Sequence, residues 1–286
     1  MRRNFAQCLR EVELSPLKEY QKLYDMLFEP TFQQEDGSQT SMHDEFDEHF
    51  KFMWFRGTCF SLDEFDEQNG FTFLREPADF SMNHLCSISE YIWNLLMGYE
   101  SAMCSEGQGY GIFATRRIDV DFCLIHIRDL VENLGYEIAD DDDFTIIVPK
   151  NAAATAVANS DIIPGELSKK IIGYNHYSMS GDIQEKKNTI LRLADLLEPK
   201  RKDLDRVDKE LSNDLFYLFN NLNLRHNNID PSAKKNYKKA VAELPPEELE
   251  HWYDETYQMC LLAFMRLEHA ERKIEFEKLK NQIETN

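Results

Sequence analysis

The sequence predicts a mainly α fold, a helical bundle with one small β-hairpin. Glycine and proline are scarce, at 11 and 9 residues among 286, which argues against a turn-rich β-sandwich. In the second half of the chain, apolar residues recur at intervals of three and four over long stretches, as on one face of a helix. One run of β-branched residues, at 136–148, surrounds an acidic turn, and this pattern is typical of a hairpin.

Residues 1–134 form the first of three predicted regions, an acidic and mostly helical one. Pro16 fits the first turn of a helix whose apolar positions continue to Leu27. Residues 83–97 place leucines and isoleucines on one helical face. Residues 122–130 fit either a strand or the start of a helix, because short apolar runs are ambiguous.

Residues 135–180 form the second region, a linker that contains the hairpin. The strand-forming residues 135–138 and 144–148 flank four aspartates, Asp140 to Asp143, and Pro149 ends the second strand. Four carboxylates could in principle bind Ca²⁺. The run lacks the alternating spacing, the glycine and the distal glutamate of an EF-hand loop, so we interpret it as a hairpin turn.

Residues 181–286 form the third region, a helical bundle. One stripe of apolar residues at positions i, i+3, i+4 and i+7 consists of Ile190, Leu193, Ala194 and Leu197. The last helix starts at Pro245 and Pro246, and its apolar residues step by three or four as far as Ile274. So long a helix with a narrow stripe indicates a bundle.

Cysteine usage and the absence of long apolar runs predict a cytoplasmic protein that does not associate with membranes. The six cysteines include no CxxC pair. The basic residues 1–4 are not followed by the apolar run of a secretory signal, and no stretch approaches the roughly 18 apolar residues of a membrane span. Reduced cysteines are the simplest expectation.

The net charge of −20 is unevenly distributed. Residues 1–167 contain 12 Lys and Arg against 31 Asp and Glu, whereas residues 168–286 contain 20 against 21. Affinity for nucleic acid depends largely on Lys and Arg contacts to phosphates. The charge therefore argues against nucleic-acid binding by the N-terminal half but not by the C-terminal half.

Potential metal ligands cluster at His43, Asp44, Asp47, Glu48 and His49. On a helix, His43, Asp47 and Glu48 would lie close together, but the acidity of the segment favours a solvated helix face. Residues 44–48 and 63–67 share one five-residue sequence, which we attribute to acidic composition rather than to a structural repeat. No P-loop, GxGxxG, GxSxG or HExxH motif occurs. We therefore expect no cofactor and no metal.

The candidate functional residues Arg225, His226 and Asn228 lie between two long helical segments. Arg is a fixed cation that can hold a phosphate oxygen bidentately. A neighbouring His titrates near neutral pH and can move a proton. RNA cleavage through the ribose 2′-hydroxyl needs these two functions, and Asn228 could position the substrate. The same residues also fit a polar helix-to-loop transition, because short motifs often arise by chance.

From about residue 190 onward, roughly a third of the chain resembles the HEPN superfamily, helical bundles found in bacterial abortive-infection proteins and toxin modules. The resembling segments are residues 194–198, 200–202, 215–220, 224–228 and 235–237 and the aromatic helix that begins at His251. In that family the catalytic Arg is followed by a His four to six residues later, whereas His226 directly follows Arg225.

The resemblance implies a metal-independent endoribonuclease or an RNA-binding effector in bacterial or phage-related defence. Arg225 would then stabilise phosphate charge, His226 would act as acid and base, and Asn228 would position the substrate. Family members with altered motifs are thought to be non-catalytic bundles that bind RNA or a partner, and family ribonucleases pair two bundles around one groove. A homodimer is therefore expected.

The last helix supplies a second reason to expect a dimer. A second apolar row on this helix consists of Tyr253, Tyr257, Cys260 and Phe264. A second row implies a second packing partner. The competing hypothesis is a non-catalytic interaction protein whose acidic N-terminal surface binds a basic protein or mimics nucleic acid. Basic surroundings of Arg225 favour RNA binding, and acidic surroundings favour this alternative.

Overall fold

The computed structural model describes residues 14–33, 37–74, 80–110 and 117–285, so the basic residues 1–4 lie outside it. The chain divides into two compact units, one ending at Ile147 and the other beginning at Val148. The predicted mainly α fold with a small hairpin is confirmed. Among the described helices, none combines the length and the apolar character needed to cross a bilayer.

The N-terminal unit contains five described helices and two short strand pairs. The elements are α1 (Pro16–Phe28), β1 (Phe32–Gln33), β2 (Gln39–Thr40), α2 (Met42–His49), α3 (Leu62–Asn69), α4 (Met82–Tyr110), α5 (Val120–Asn133), β3 (Tyr136–Asp141) and β4 (Phe144–Pro149), whose last two residues fall in the second unit. The segment that fitted either a strand or a helix, residues 122–130, is part of α5. β1 pairs with β2 in antiparallel register, Phe32 opposite Thr40.

The core of the N-terminal unit forms where α1 and α2 pack on α4. Leu23 and Leu27 of α1 and Ile92 of α4 are essentially inaccessible to solvent. Phe46 of α2 meets the ring of Tyr99 edge-on at 5.8 Å. Periodic apolar positions thus predicted α1 and α4, because their spacing matches the face that each one buries.

The β3–β4 hairpin is fixed to α4 by side chains rather than by a third strand. Asn94 donates to the carbonyl of Thr145 and accepts the N–H of the same residue, both at 2.9 Å. Glu90 accepts the N–H of Ile147 at 2.7 Å. The turn has Asp142 at φ +54°, a conformation that Asp tolerates better than most residues. Asp140 to Asp143 thus end and connect two strands, as the hairpin interpretation predicted.

The C-terminal unit is helical. Its helices are α6 (Ala152–Ala158), α7 (Gly165–Gly173), α8 (Ile183–Leu197), α9 (Arg201–Val207), α10 (Lys209–Asn221), α11 (Lys239–Ala242) and α12 (Pro246–Glu284). Helices α6 and α7, which belong to the predicted linker region, pack into the same core as α8, α10 and α12 through buried residues such as Val157 and Ile171.

The 39-residue helix α12 supplies the largest part of this core. The row Tyr253, Tyr257, Cys260 and Phe264, which we expected to meet a second copy of the chain, is fully buried within the unit. Tyr257 stacks on Tyr174 at 3.8 Å between ring centroids, and its hydroxyl donates to the carbonyl of Ile171 at 2.7 Å. The inference from this row to a dimer was wrong, because the surrounding helices cover two faces of α12.

A buried lysine fixes the first turns of α12 against α8. Lys186 lies 2.7 Å from Glu250 and 2.8 Å from Asp254, and its ammonium lies over the Tyr174 ring. Its side chain is 8% exposed. Two carboxylates therefore compensate a cation that would otherwise be costly to remove from water.

Candidate functional site

The candidate residues Arg225, His226 and Asn228 all lie in the loop that follows α10. The helix ends at Asn221, and Asn223 adopts a positive φ of 54°, which reverses the chain. The backbone N–H of Arg225 then donates to the carbonyl of Phe219 at 3.0 Å, closing the end of the helix. This reversal returns the side chain of Arg225 over the helix that precedes it.

Arg225 is bound by the fold rather than presented to solvent. Its guanidinium donates to Glu198 and to the carbonyl of Ala194, the latter at 3.0 Å. It also lies over the rings of Phe216 and Phe219, at 5.7 and 5.1 Å from their centroids. The side chain is 20% exposed. The expected role of Arg225 in holding a phosphate is corrected, because its side chain instead ties the loop to the end of α8.

Asn228 is fully buried, and its polar groups are occupied. Its Oδ1 accepts the N–H of Asn223 at 2.8 Å, while its Nδ2 donates to the carbonyls of Asn236 and Asn220 at 2.7 and 3.3 Å. Its own carbonyl accepts the N–H of Lys238 at 2.7 Å. The proposed role in positioning a substrate is therefore corrected, because Asn228 holds the loop together and has no surface to offer a ligand.

His226 and Asn227 are the two exposed members of the motif. Asn227 reaches Asp230 at 3.4 Å, a weak contact. Of the three residues expected to form a cleavage site, only His226 faces solvent. The loop does not bring a solvent-facing cation and a proton-transferring group together in the way that the sequence hypothesis required.

Eight basic side chains lie on the two chain segments that are hydrogen-bonded to this loop. This basic surface consists of Lys200, Arg201, Lys202, Arg206, Lys234, Lys235, Lys238 and Lys239, all exposed except the half-buried Lys200 and Lys238. The first four follow Glu198, the partner of Arg225, and the last four belong to or follow the 3-10 helix Pro231–Asn236, whose last residue is bonded to Asn228. Within residues 198–239, ten Lys and Arg face seven Asp and Glu. This stretch of the chain therefore carries a net positive charge, although the whole chain is strongly acidic.

A surface cavity of about 540 Å³ lies in the same unit, beside α6 and α12. Its charged lining residues are Asp161, Lys200, Glu268, Glu271, Arg272 and Glu275. Arg272 is already paired with Glu268 at 2.8 Å. Four carboxylates against two cations make this cavity unsuited to a phosphate group.

The potential metal ligands His43, Asp47 and Glu48 do not come together. His43 is buried and faces Asp66 of α3, whereas Asp47 accepts the N–H of Leu62 at 2.6 Å and Glu48 is exposed. The expected set followed from helical spacing alone. The signal that sequence reasoning missed was the second copy of the five-residue segment, which supplies Asp66.

Replacing Asn228 with alanine is expected to destabilise the protein by at least about 2 kcal/mol, because a backbone N–H and two backbone carbonyls of half-buried residues lose their partner. Asn227→Ala, the exposed neighbour, is the matched control and should change stability by about 0.5 kcal/mol or less. Urea unfolding followed by circular dichroism measures both. Equal midpoints for the two variants would show that the Asn228 hydrogen bonds add little.

Arg225→Ala is expected to destabilise the protein by about 1–2 kcal/mol, since it removes the aromatic contacts and leaves the carbonyl of Ala194 without its donor. His226→Ala should be neutral within about 0.5 kcal/mol. Urea unfolding followed by circular dichroism measures the stability of both variants. An unchanged midpoint for Arg225→Ala would mean that its contacts do not hold the loop.

No protein-family model, curated protein sequence or solved structure matches this chain. The resemblance to the HEPN superfamily therefore stays a prediction from the residues quoted above, and the function is argued from the residues themselves.

Proposed function

We propose that the C-terminal unit binds RNA without cleaving it. The observation that carries the proposal is the basic surface around the loop, which contrasts with the net charge of −20 of the chain. Six of its eight side chains are exposed Lys or Arg residues. Such side chains bind phosphates by displacing condensed counterions, so several together produce salt-dependent affinity for a nucleic-acid backbone.

An exposed aromatic residue on a helix that a basic side chain contacts favours single-stranded over double-stranded RNA. Tyr217 of α10 is 66% exposed, although its neighbours Phe216 and Phe219 are buried. An exposed ring offers a surface on which an unpaired base can stack, and stacking of this kind tolerates any base. Arg201, which lies over the Phe216 ring at 4.4 Å, places a cation close to the same helix. The ligand proposed is therefore single-stranded RNA, bound with little sequence preference.

The contacts of Arg225 and the burial of Asn228 favour RNA binding over RNA cleavage. Metal-independent cleavage needs a cation that can approach the scissile phosphate and a group that transfers a proton. The guanidinium of Arg225 is bound to Glu198 and Ala194, and Asn228 is inaccessible. His226 alone cannot supply both functions.

The biological setting of the proposal comes from the HEPN resemblance. Members of that superfamily with altered motifs are thought to be non-catalytic bundles that bind RNA or a partner. A defence-related effector from bacteria or phages that recognises RNA through its C-terminal unit is the role most consistent with the adjacency of Arg225 and His226.

Reversing two charges of the basic surface, Lys234→Glu with Lys235→Glu, is expected to weaken binding of labelled single-stranded RNA by at least about tenfold at low salt. The slope of log Kd against log salt should also fall by roughly 0.7 for each phosphate that the variant no longer neutralises. Fluorescence anisotropy at several salt concentrations measures both quantities, and gel analysis in EDTA should show the RNA intact.

The matched control is Lys18→Glu with Lys51→Glu, which changes the net charge equally on exposed residues of the N-terminal unit. If both double variants weaken binding to the same extent, net charge rather than the basic surface governs the affinity. Cleavage that disappears in His226→Ala would replace the binding role with a ribonuclease.

We also propose a homodimer, through a different part of α12 from the one expected. Five exposed apolar residues share one face of this helix within about 100°. They are Leu262, Met265, Phe276, Leu279 and Ile283. The last three belong to the final turns of α12, where every described residue is exposed. An apolar stripe spaced by three and four on an uncovered helix fits a second copy of the same helix.

Phe276→Glu with Ile283→Glu is expected to convert a dimer into a monomer, since it places charge in the shared apolar stripe. Light scattering at micromolar concentration should report a mass near twice 33.7 kDa for the unaltered chain and near 33.7 kDa for the variant. Lys278→Glu, on another side of the helix, should leave the dimer intact. A monomeric mass for the unaltered chain would end the dimer proposal.

The N-terminal unit favours a second candidate role, binding of a basic protein or mimicry of nucleic acid. Its exposed carboxylates on α5 and at the hairpin turn are Asp121, Asp129, Glu132, Asp140, Asp141, Asp142 and Asp143. Closely spaced carboxylates of this kind attract cations over a Debye length. The RNA titration separates the two roles: failure to bind RNA, together with salt-sensitive binding of a lysine-rich peptide, would support the second role.

A further inference from the structure

The two copies of the five-residue acidic segment begin similar helices. Ser41 caps α2 and Ser61 caps α3, each accepting a backbone N–H from the residue three positions later, at 3.1 and 3.2 Å. Side-chain caps of this type fix where a helix starts and therefore which way each later side chain points.

The repeated segment has a different register in the two helices. It begins three residues after Ser41 but two residues after Ser61. A shift of one residue rotates a helical position by about 100°. Phe46 and Asp66 consequently occupy the same position relative to their caps, and both are buried, at 0% and 2% exposure. The second copy thus turns a carboxylate inward where the first buries a phenyl ring.

The buried carboxylate of Asp66 is held from two sides. The Tyr91 hydroxyl lies 2.8 and 3.0 Å from its two oxygens and donates to this carboxylate. Nε2 of His43 lies 3.4 Å from Oδ2 of Asp66, and the His43 ring packs against Phe28. Both His43 and Asp66 are more than nine-tenths buried. Their geometry is thus set by packing, as a ligand site requires.

A third potential ligand completes the cluster. Asp63 precedes Asp66 by one helical turn, on the same side of α3, and it is exposed. One ligand atom each of His43, Asp63 and Asp66 lies within 4.8 Å of the others. Two carboxylates this close repel each other, and a divalent cation between them would compensate both charges.

We propose that His43, Asp63 and Asp66 bind one divalent transition-metal ion, with Zn²⁺ as the best fit. Imidazole nitrogen favours Zn²⁺ over Mg²⁺ and Ca²⁺, which prefer oxygen ligands only. Three protein ligands with one exposed member resemble open zinc sites, in which water completes the coordination. Tyr91 is the positioning residue that orients Asp66 from outside the ligand set. The site belongs to the N-terminal unit and does not depend on RNA binding by the C-terminal unit.

Calorimetric titration of Zn²⁺ into chelator-treated full-length protein tests the proposal. One Zn²⁺ per chain is expected, with an affinity at least tenfold weaker in Asp63→Asn and in Asp66→Asn. Asn at position 66 retains an acceptor for Tyr91, which favours folding. Asp63→Asn alters an exposed residue, so it supports the test even if Asp66→Asn is unstable. Mg²⁺ should bind more weakly than Zn²⁺ to the unaltered chain.

Glu48→Gln is the matched control, because Glu48 is an exposed carboxylate of α2 outside the cluster. It should leave Zn²⁺ affinity unchanged. Absorption of the Co²⁺-loaded protein should lack a thiolate charge-transfer band, which separates this site from binding by cysteine. Saturable Zn²⁺ binding that is unaffected by both Asp variants, or no saturable binding at all, would overturn the proposal.

Discussion

Each compact unit of this chain buries polar side chains, and a polar group that leaves water without a hydrogen-bond partner costs free energy. In the C-terminal unit this constraint falls on Asn228, whose amide and backbone connect three segments of the loop after α10. In the N-terminal unit it falls on Asp66, which Tyr91 and His43 contact. The loop after α10 and the contact of α2 and α3 with α4 are arranged around these two groups.

The same constraint decides which residues are available to a ligand. A guanidinium that is bonded to a carboxylate and a backbone carbonyl and lies over two phenyl rings, as in Arg225, is poorly accessible to a phosphate. Exposed lysines such as Lys234 and Lys235 carry an ammonium group that extends into solvent on a flexible side chain. The polar motif therefore builds the loop, and the exposed lysines are the groups that the RNA ligand proposed above would contact.

Helix α12 lies in two different environments along its length. The buried residues of α12 lie between Tyr253 and Leu267, where the rings of Tyr257 and Tyr174 stack, but the final turns of the helix are exposed. Whether an apolar stripe on a helix belongs to the core depends on which elements pack against it. The aromatic row of α12 is core because α7 and α8 cover it, whereas Phe276 and Leu279 have no such cover among the described residues.

The sequence by itself determined the helices with clear apolar spacing, the β3–β4 hairpin and the charge division, since apolar spacing and turn residues act locally. It left residues 122–130 open between a strand and a helix. It also located a polar break between two helical segments at residues 225–232. It did not determine which polar side chains turn inward. Arg225 is bonded to Glu198, which is 27 residues away in the sequence, and His43 contacts Asp66, which is 23 residues away. Such partners meet only when separate helices pack, so the tertiary structure alone assigned Arg225 and Asn228 to the scaffold and gathered His43, Asp63 and Asp66.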